Sequence, residues 1–256
     1  MLQSLRNALY EAVSEAAPEA TVGVAFSGGV DSSLLARICQ GLGKELTLIT
    51  VGFRRSHDIQ FSSTIATKME MKQRVYEITI DDFQGKLKTV QEMTGCRNTS
   101  HLENGVAYLY IAKVSREEGL DVVLSANGCD ELFCGYNAYR VAYDKGETAL
   151  MKLMEEKITN EQELVAEISS IAKQYGVEVR QPFLSEKFVR FAKTIPLGRK
   201  IKGPDDMTRK HILREIALEI GVPRESATKP KKALQYGSLI HKHFKMLRAS
   251  ESRKRP

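Results

Sequence analysis

Thr21-Val22-Gly23-Val24-Ala25-Phe26-Ser27-Gly28-Gly29-Val30-Asp31-Ser32-Ser33 reads as a strand, a loop and a helix start in immediate succession. The apolar run 21–26 is short enough to be a buried strand. Two glycines let the backbone turn tightly and approach a ligand with no Cβ in the way. Successive N–H groups, the serine hydroxyls and the N-terminus of a helix through Leu34, Leu35 and Ile38 form an anion cradle. The carboxyl end of a strand is where open α/β sheets bind ligands. No lysine follows the glycines, so this is not the Walker A loop, which requires G-x-x-x-x-G-K-[ST]. An acidic residue, Asp31, stands in the loop instead. A carboxylate among phosphates makes sense as a Mg²⁺ ligand.

Outward from this loop, residues 46–51, 74–80 and 121–125 read as further short strands. Between them 58–71, 81–93 and 104–118 read as helices, the second capped by Asp81 or Asp82. A helix over 2–17 precedes Pro18. Strands alternating with helices predict an α/β fold, a parallel sheet with helices on both faces. After Gly135 only helical segments stand out, at 136–143, 148–157, 161–175, 185–193, 207–220 and 238–247. The expected organisation is an N-terminal helix (1–20), an α/β core (21–135) and a mostly helical C-terminal part (136–256) that completes the site. No repeat or low-complexity linker interrupts it.

A length of 256 residues, 42% hydrophobic and 27% charged, is that of an ordinary globular protein. Collagen, coiled coil and wholesale disorder are excluded, and no apolar stretch reaches the ~18 residues of a membrane span. The N-terminus reads as helix and not as a signal peptide, so the expectation is a cytoplasmic protein with no membrane partner. Residues 181–256 hold 19 of the 38 Lys and Arg but only 7 of the 32 Asp and Glu. That asymmetry suggests an anionic partner, a polyphosphate or a nucleic acid. Cys39, Cys96, Cys129 and Cys134 contain no C-x-x-C pair, and His57, His101, His211, His241 and His243 show no metal-ligand spacing with them. No zinc site is expected from these spacings.

The second motif is Val122-Val123-Leu124-Ser125-Ala126-Asn127-Gly128-Cys129-Asp130-Glu131-Leu132-Phe133-Cys134-Gly135-Tyr136. A strand ends in a loop with adjacent carboxylates, at the same sheet edge as the first loop. Asp31 and Asp130 could therefore share one Mg²⁺.

The first loop resembles that of the pyrophosphatase-loop ATPases, in which SGG-x-DSS holds the pyrophosphate portion of ATP. The second closely resembles the VLSGEGADELFGGY-type segment of the asparagine synthetase C-terminal domain. Leu48 to Phe53 is similar to that family's adenine-side strand. Gly176 to Leu184 resembles its G-x-E-x-R-x-PFLD segment, and Lys210 to Glu215 its K-x-x-LRE helix, ahead of the basic loop Lys229-Pro230-Lys231-Lys232. The resemblance runs from Thr21 to Gly237 in unbroken order. It implies an adenine nucleotide α-hydrolase-like fold with ATP and Mg²⁺ as cofactors. The implied ATP contacts are Ala25, Ser27, Gly28, Gly29, Asp31, Ser32, Ser33, Val51, Ser125 and Ala126, and the implied metal ligands are Asp31 and Asp130. Lys231 matches the family lysine that neutralises charge at the reacting centre, with Lys229 and Lys232 as neighbours.

Three departures shape the expectation. The family's S-G-E-G is here Ser125-Ala126-Asn127-Gly128, so Asn127 stands where asparagine-forming members place a Glu that assists the aspartyl adenylate. β-Lactam-forming relatives carry Tyr there. The Asp that closes PFLD is Ser185. The glutaminase domain with its Cys directly after Met is not seen; position 2 is Leu. The resemblance implies an ATP-dependent, AMP- and pyrophosphate-forming amide ligase acting on a carboxylate, by default aspartate. The amine is ammonia or another donor, or ammonia from a separate glutaminase subunit. The alternatives are a tRNA-modifying or sulfur-transferring ATPase, which Cys129, Cys134 and the basic C-terminal third favour, and a non-catalytic ATP-binding protein. The tRNA reading is the less favoured. On residue type alone, Asn127→Glu is expected to raise aspartate use.

Overall fold

The computed structural model describes residues 1–96, 98–230 and 233–253. Five parallel strands, β1 (Thr21–Ala25), β2 (Glu45–Phe53), β3 (Gln73–Ile78), β4 (Val122–Leu124) and β5 (Glu178–Arg180), pair in the order β3-β2-β1-β4-β5. The order reverses direction between β1 and β4, which pair through Gly23–Val123 and Val24–Leu124. That junction opens a crevice at the carboxyl ends of the two strands.

The two-residue period of the strands sorts side chains into two cores. Val22, Val24, Leu48, Val122 and Leu124 face one core. It is built with α1 (Leu2–Ala16), α2 (Val30–Gly41) and α3 (His57–Met69). Ile49, Val51, Phe53 and Val123 face the other, against α4 (Ile80–Thr94) and α5 (Thr99–Glu117). Both cores continue beyond β4, into the helices α6 (Cys129–Leu132), α7 (Asn137–Tyr143), α8 (Glu147–Lys173), α9 (Glu186–Lys193) and α10 (His211–Glu219). The chain closes with α11 (Arg224–Thr228), α12 (Leu234–Gly237) and α13 (Ile240–Arg253).

Several elements differ from the sequence expectation. β5 adds a strand between the segments expected at 161–175 and 185–193, where no element was assigned; with Val179 as its one buried residue, it is too short to show an alternation. The two helices expected at 148–157 and 161–175 are one 27-residue helix, α8. Its buried stripe, Leu150, Met154, Ile158, Glu161, Leu164 and Ile168, keeps helical spacing through the supposed break. Thr79, not Asp81 or Asp82, caps α4, its side chain accepting from Asp82 N. α5 begins earlier than expected because Asn98 Oδ1 accepts from both Ser100 N and His101 N. Among the described residues, no helix is long and apolar enough to cross a membrane.

Candidate active site

The loop after β1 folds on itself before it offers anything to a ligand. Ser27 N and Ser27 Oγ both lie near Ser32 Oγ, at 3.3 and 3.4 Å, and Gly29 N donates to Ser27 Oγ at 3.4 Å. Gly28 has φ +74°, and a Cβ there would press on the Ser62 backbone at 3.0 Å. Only glycine suits both constraints. Gly29 then starts α2, with Asp31 in its first turn.

A cavity of about 270 Å³ opens at the crevice. Ala25, Ser27, Asp31, Ser32 and Val51 line one side; Ser125, Ala126, Asn127 and Asp130 line another. A smaller cavity shares Ser27, Asp31 and Ser32, and adds Gly29, Lys210, Arg214 and Lys229. The structure thus gathers most of the residues singled out in the sequence around one space. Ser33 is apart from it: fully buried, it is joined to Ser226 Oγ at 2.9 Å in the packing of α2 against α11. Gly28 lines neither cavity and shapes the turn. Lys231 and Lys232 lie outside the described residues.

At the centre stands a residue to which the sequence reading gave no role. Lys210 Nζ lies 2.5 Å from Asp31 Oδ2 and 2.5 Å from Asp130 Oδ1, with the lysine side chain 1% exposed. A buried cation between two carboxylates satisfies their mutual repulsion. Getting it there takes unusual backbone: Arg209 and Lys210 have φ +49° and +54°, a conformation costly for residues with side chains. Asp206 holds that turn by accepting from Lys202 N, Thr208 N and Arg209 N. The Arg214 guanidinium donates to the carbonyls of Thr208, Arg209, Ala227 and Lys229, tying the turn to the basic loop. Gly135 supplies the space, since an added Cβ would overlap Asp130 Oδ1 and Lys210 Cε.

The far wall is polar and carboxylate-rich. Tyr108 OH donates to Asn127 Oδ1 at 2.7 Å, and Asn127 Nδ2 donates to Glu161 Oε1. Glu161 is 7% exposed and lines the cavity. Burial pushes the Tyr108 phenol up, which keeps it a donor. Glu131 accepts from Gly128 N at 3.0 Å and from Tyr136 OH. Burial, with Glu161 and Asp130 close by, pushes its carboxyl well above the usual carboxylate range. Glu161 escaped the sequence reading, but it left a signal: a carboxylate at a core position of an amphipathic stripe. Lys210 left a signal only as the first residue of the K-x-x-LRE resemblance, which does not tell of its burial, because that depends on the turn that precedes α10.

Cys129 and Cys134 are fully buried. Burial pushes the Cys129 thiol well up and the Cys134 thiol to about 12, so neither is a thiolate at neutral pH. The expectation that the histidines form no metal-ligand set with the cysteines is corrected: Cys96, His101 and Glu167 place their donor atoms within 4.8 Å of one another. The chain path through α4, α5 and α8 joins them, a relation that spacing does not encode.

The family model described as asparagine synthase matches residues 4–167 and 145–253. A Methanocaldococcus jannaschii protein named asparagine synthetase [glutamine-hydrolyzing] 1 is 30% identical over 248 residues, 85% of this chain and 46% of its own. Asparagine synthetase [glutamine-hydrolyzing] 2 of Lotus japonicus is 27% identical over 205 residues, 75% of this chain and 35% of its own. The chain spans less than half the length of these two relatives. Among solved structures, that of NMN synthetase from Francisella tularensis shares the fold, with a TM-score of 0.51 at 12% identity over 97% of this chain and 87% of that one.

Proposed function

The chain belongs to the asparagine synthase family, and from that premise we propose that its cavity binds MgATP and adenylates a carboxylate. Ammonia or another amine then takes the acyl group, and AMP and pyrophosphate are released. The observation that carries this reading is the meeting of Asp31, Asp130 and Lys210 where β1 and β4 end. The donor set is all oxygen, and Asp31 Oδ1 is buried with no hydrogen-bond partner. Both features suit a hard cation. Asp31 and Asp130 are the residues to hold Mg²⁺, which when bound neutralises charge on the pyrophosphate.

The chain's own residues take the remaining roles. Ala25 and Val51 bound the adenine side, while Ser125 and Ala126 edge the loop opposite. Ser27, Gly29 and Ser32 cradle the phosphates, with Gly28 setting their turn. Lys210 and Lys231 are the cations for charge that develops during transfer, where fixed electrostatics acts most strongly. Asn127 cannot take a proton. Glu161, held by the Asn127 amide, is the carboxylate placed to accept one from the attacking amine. Lys157, one turn before Glu161 in the cavity wall, offers a cation to a second carboxylate, which favours aspartate as the acceptor. The nitrogen source is ammonia, another amine, or ammonia from a glutaminase. The buried, neutral thiols of Cys129 and Cys134 speak against cysteine-borne sulfur transfer.

The test is pyrophosphate release from MgATP across a panel of amino acids and other carboxylates with ammonia. Asp31→Asn keeps the shape and removes one anionic ligand; it should abolish release and leave the circular dichroism unchanged. ATP binding by the wild type with no release on any acceptor would instead identify a nucleotide-binding protein.

A further inference from the structure

Cys96, His101 and Glu167 come from three places in the chain. Cys96 follows α4, just past Gly95, which turns the chain at φ +62°. His101 lies in the first turn of α5, and Glu167 on α8. His101 Nδ1 is 3.2 Å from Glu167 Oε1, and the imidazole is 6% exposed. Its other nitrogen, Nε2, is buried and has no hydrogen-bond partner. The three donor atoms lie within 4.8 Å of one another. Around a tetrahedral zinc, bond lengths of ~2.3 Å to sulfur and ~2.0 Å to nitrogen set the S···N edge at roughly 3.5 Å. Small side-chain rotations close that difference.

We infer that Cys96, His101 and Glu167 form a binding site for a divalent metal of the zinc class. The donor chemistry selects the metal. Sulfur and imidazole are poor partners for Mg²⁺ and good ones for zinc, and a carboxylate completes a mixed set. The charges balance, since a thiolate and a carboxylate together neutralise a dication. Without a metal the cluster is unfavourable to itself: burial, and then Glu167, push the Cys96 thiol up. Metal binding therefore releases about one proton as the thiol becomes a thiolate. Three protein donors leave a fourth position for water or a ligand, the pattern of open zinc sites.

The site is separate from Asp31 and Asp130 but shares a wall with their cavity. His101 lines it, as do Ser100 and Asn104. A metal on His101 Nδ1 fixes the ring proton on Nε2. It also joins the α4–α5 turn to α8, the helix that carries Lys157 and Glu161 into the cavity. Zinc at this site therefore stiffens the wall against which the acyl acceptor is proposed to bind.

The experiment uses the full chain stripped of metal, with excess Mg²⁺ present to hold the all-oxygen site, and titrates Co²⁺. One equivalent should produce tetrahedral d–d bands and a near-ultraviolet thiolate-to-cobalt charge-transfer band, and Zn²⁺ should displace both. Cys96→Ser should abolish the charge-transfer band, and Cys39→Ser, at a fully buried thiol elsewhere, should retain it. Zn²⁺ should also raise the Tm of the wild type and not that of Cys96→Ser. A wild type that gives no charge-transfer band overturns the inference and leaves a hydrogen-bonded triad. A band that survives in Cys96→Ser overturns it as well. The wild-type titration decides the matter even if a variant fails to fold.

Discussion

The ammonium of Lys210 lies 2.5 Å from Asp31 Oδ2, joining residues 179 positions apart. Its second contact, to Asp130 Oδ1, makes it the cation between the loops that end β1 and β4. The divalent ion proposed for Asp31 and Asp130 would compete with this ammonium for the same carboxylate oxygens, which would link the stability of the site to its affinity for metal.

Lys210→Met removes the cation and leaves two largely buried carboxylates facing each other. Stranding buried charges in this way costs about 3–5 kcal/mol, so the variant should melt well below the wild type without added metal. Mg²⁺ should then raise the Tm of Lys210→Met more than that of the wild type, because no ammonium competes. Thermal melts with and without Mg²⁺ measure this. Equal shifts in the two proteins would show that the oxygens holding Lys210 are not the metal's.

Gly135→Ala should be nearly as damaging as losing Lys210. Its Cβ overlaps Asp130 Oδ1 and Lys210 Cε, neither of which can retreat without breaking the ion cluster. A loss of roughly 3 kcal/mol is expected for overpacking at a buried charge site. Gly198→Ala, with open space around its Cβ, is the control and should change little. Denaturant midpoints of the two variants give the comparison.

Asp206 connects acid stability to the turn that places Lys210. Burial pushes its carboxyl up, but the N–H groups of Arg209 and Lys202 and the His211 imidazole outweigh that and hold it at about 2, down from 3.8. A depressed carboxyl contributes stability above its unfolded pKa and loses it as pH falls through the folded one. Between pH 4 and pH 2 the wild type should therefore lose stability that Asp206→Asn never had. Urea midpoints across that range should fall less steeply in the variant. Parallel curves would detach Asp206 from the acid transition.

The parallel α/β fold is legible because 21–33 and 121–136 each show a short apolar strand running into a loop of chemically committed residues. Local signals of that kind survive without tertiary information. β5 was not legible, since three edge residues with one buried valine carry no period. The break expected at 158–160 does not form in α8, because the apolar spacing on either side stays in phase. Asp31, Asp130 and Asn127 could be found because they sit inside those loops. Lys210 was visible as the first residue of a family-like helix, but its place between the carboxylates was not, because that depends on left-handed backbone at Arg209 and Lys210 that Asp206 and Arg214 support from outside. Glu161 was the missed opportunity: a carboxylate on an apolar stripe is costly unless it is used.

Glu161 reverses the expectation for Asn127. On residue type alone, Asn127→Glu would restore the carboxylate of asparagine-forming relatives and raise aspartate use. In the structure the Asn127 amide donates to Glu161 Oε1, and the carboxyl of Glu131, 2% exposed, is already pushed up by burial and then by Glu161 and Asp130. A glutamate at 127 would bury another like charge against this group and lose the hydrogen bond that holds Glu161. Asn127→Glu should therefore lower the Tm and give no gain in aspartate-dependent pyrophosphate release. Glu161→Gln should lower kcat by on the order of 10²-fold, the usual scale for a proton-accepting group, with the KM for ATP little changed. The double variant Asn127→Glu/Glu161→Gln exchanges the two groups, keeps an amide beside a carboxylate, and should recover part of both stability and kcat. Steady-state pyrophosphate release at saturating acceptor and ammonia, with melts of all three variants, tests the whole chain of reasoning. A single Asn127→Glu that is more active and no less stable would remove Glu161 from the proposed chemistry.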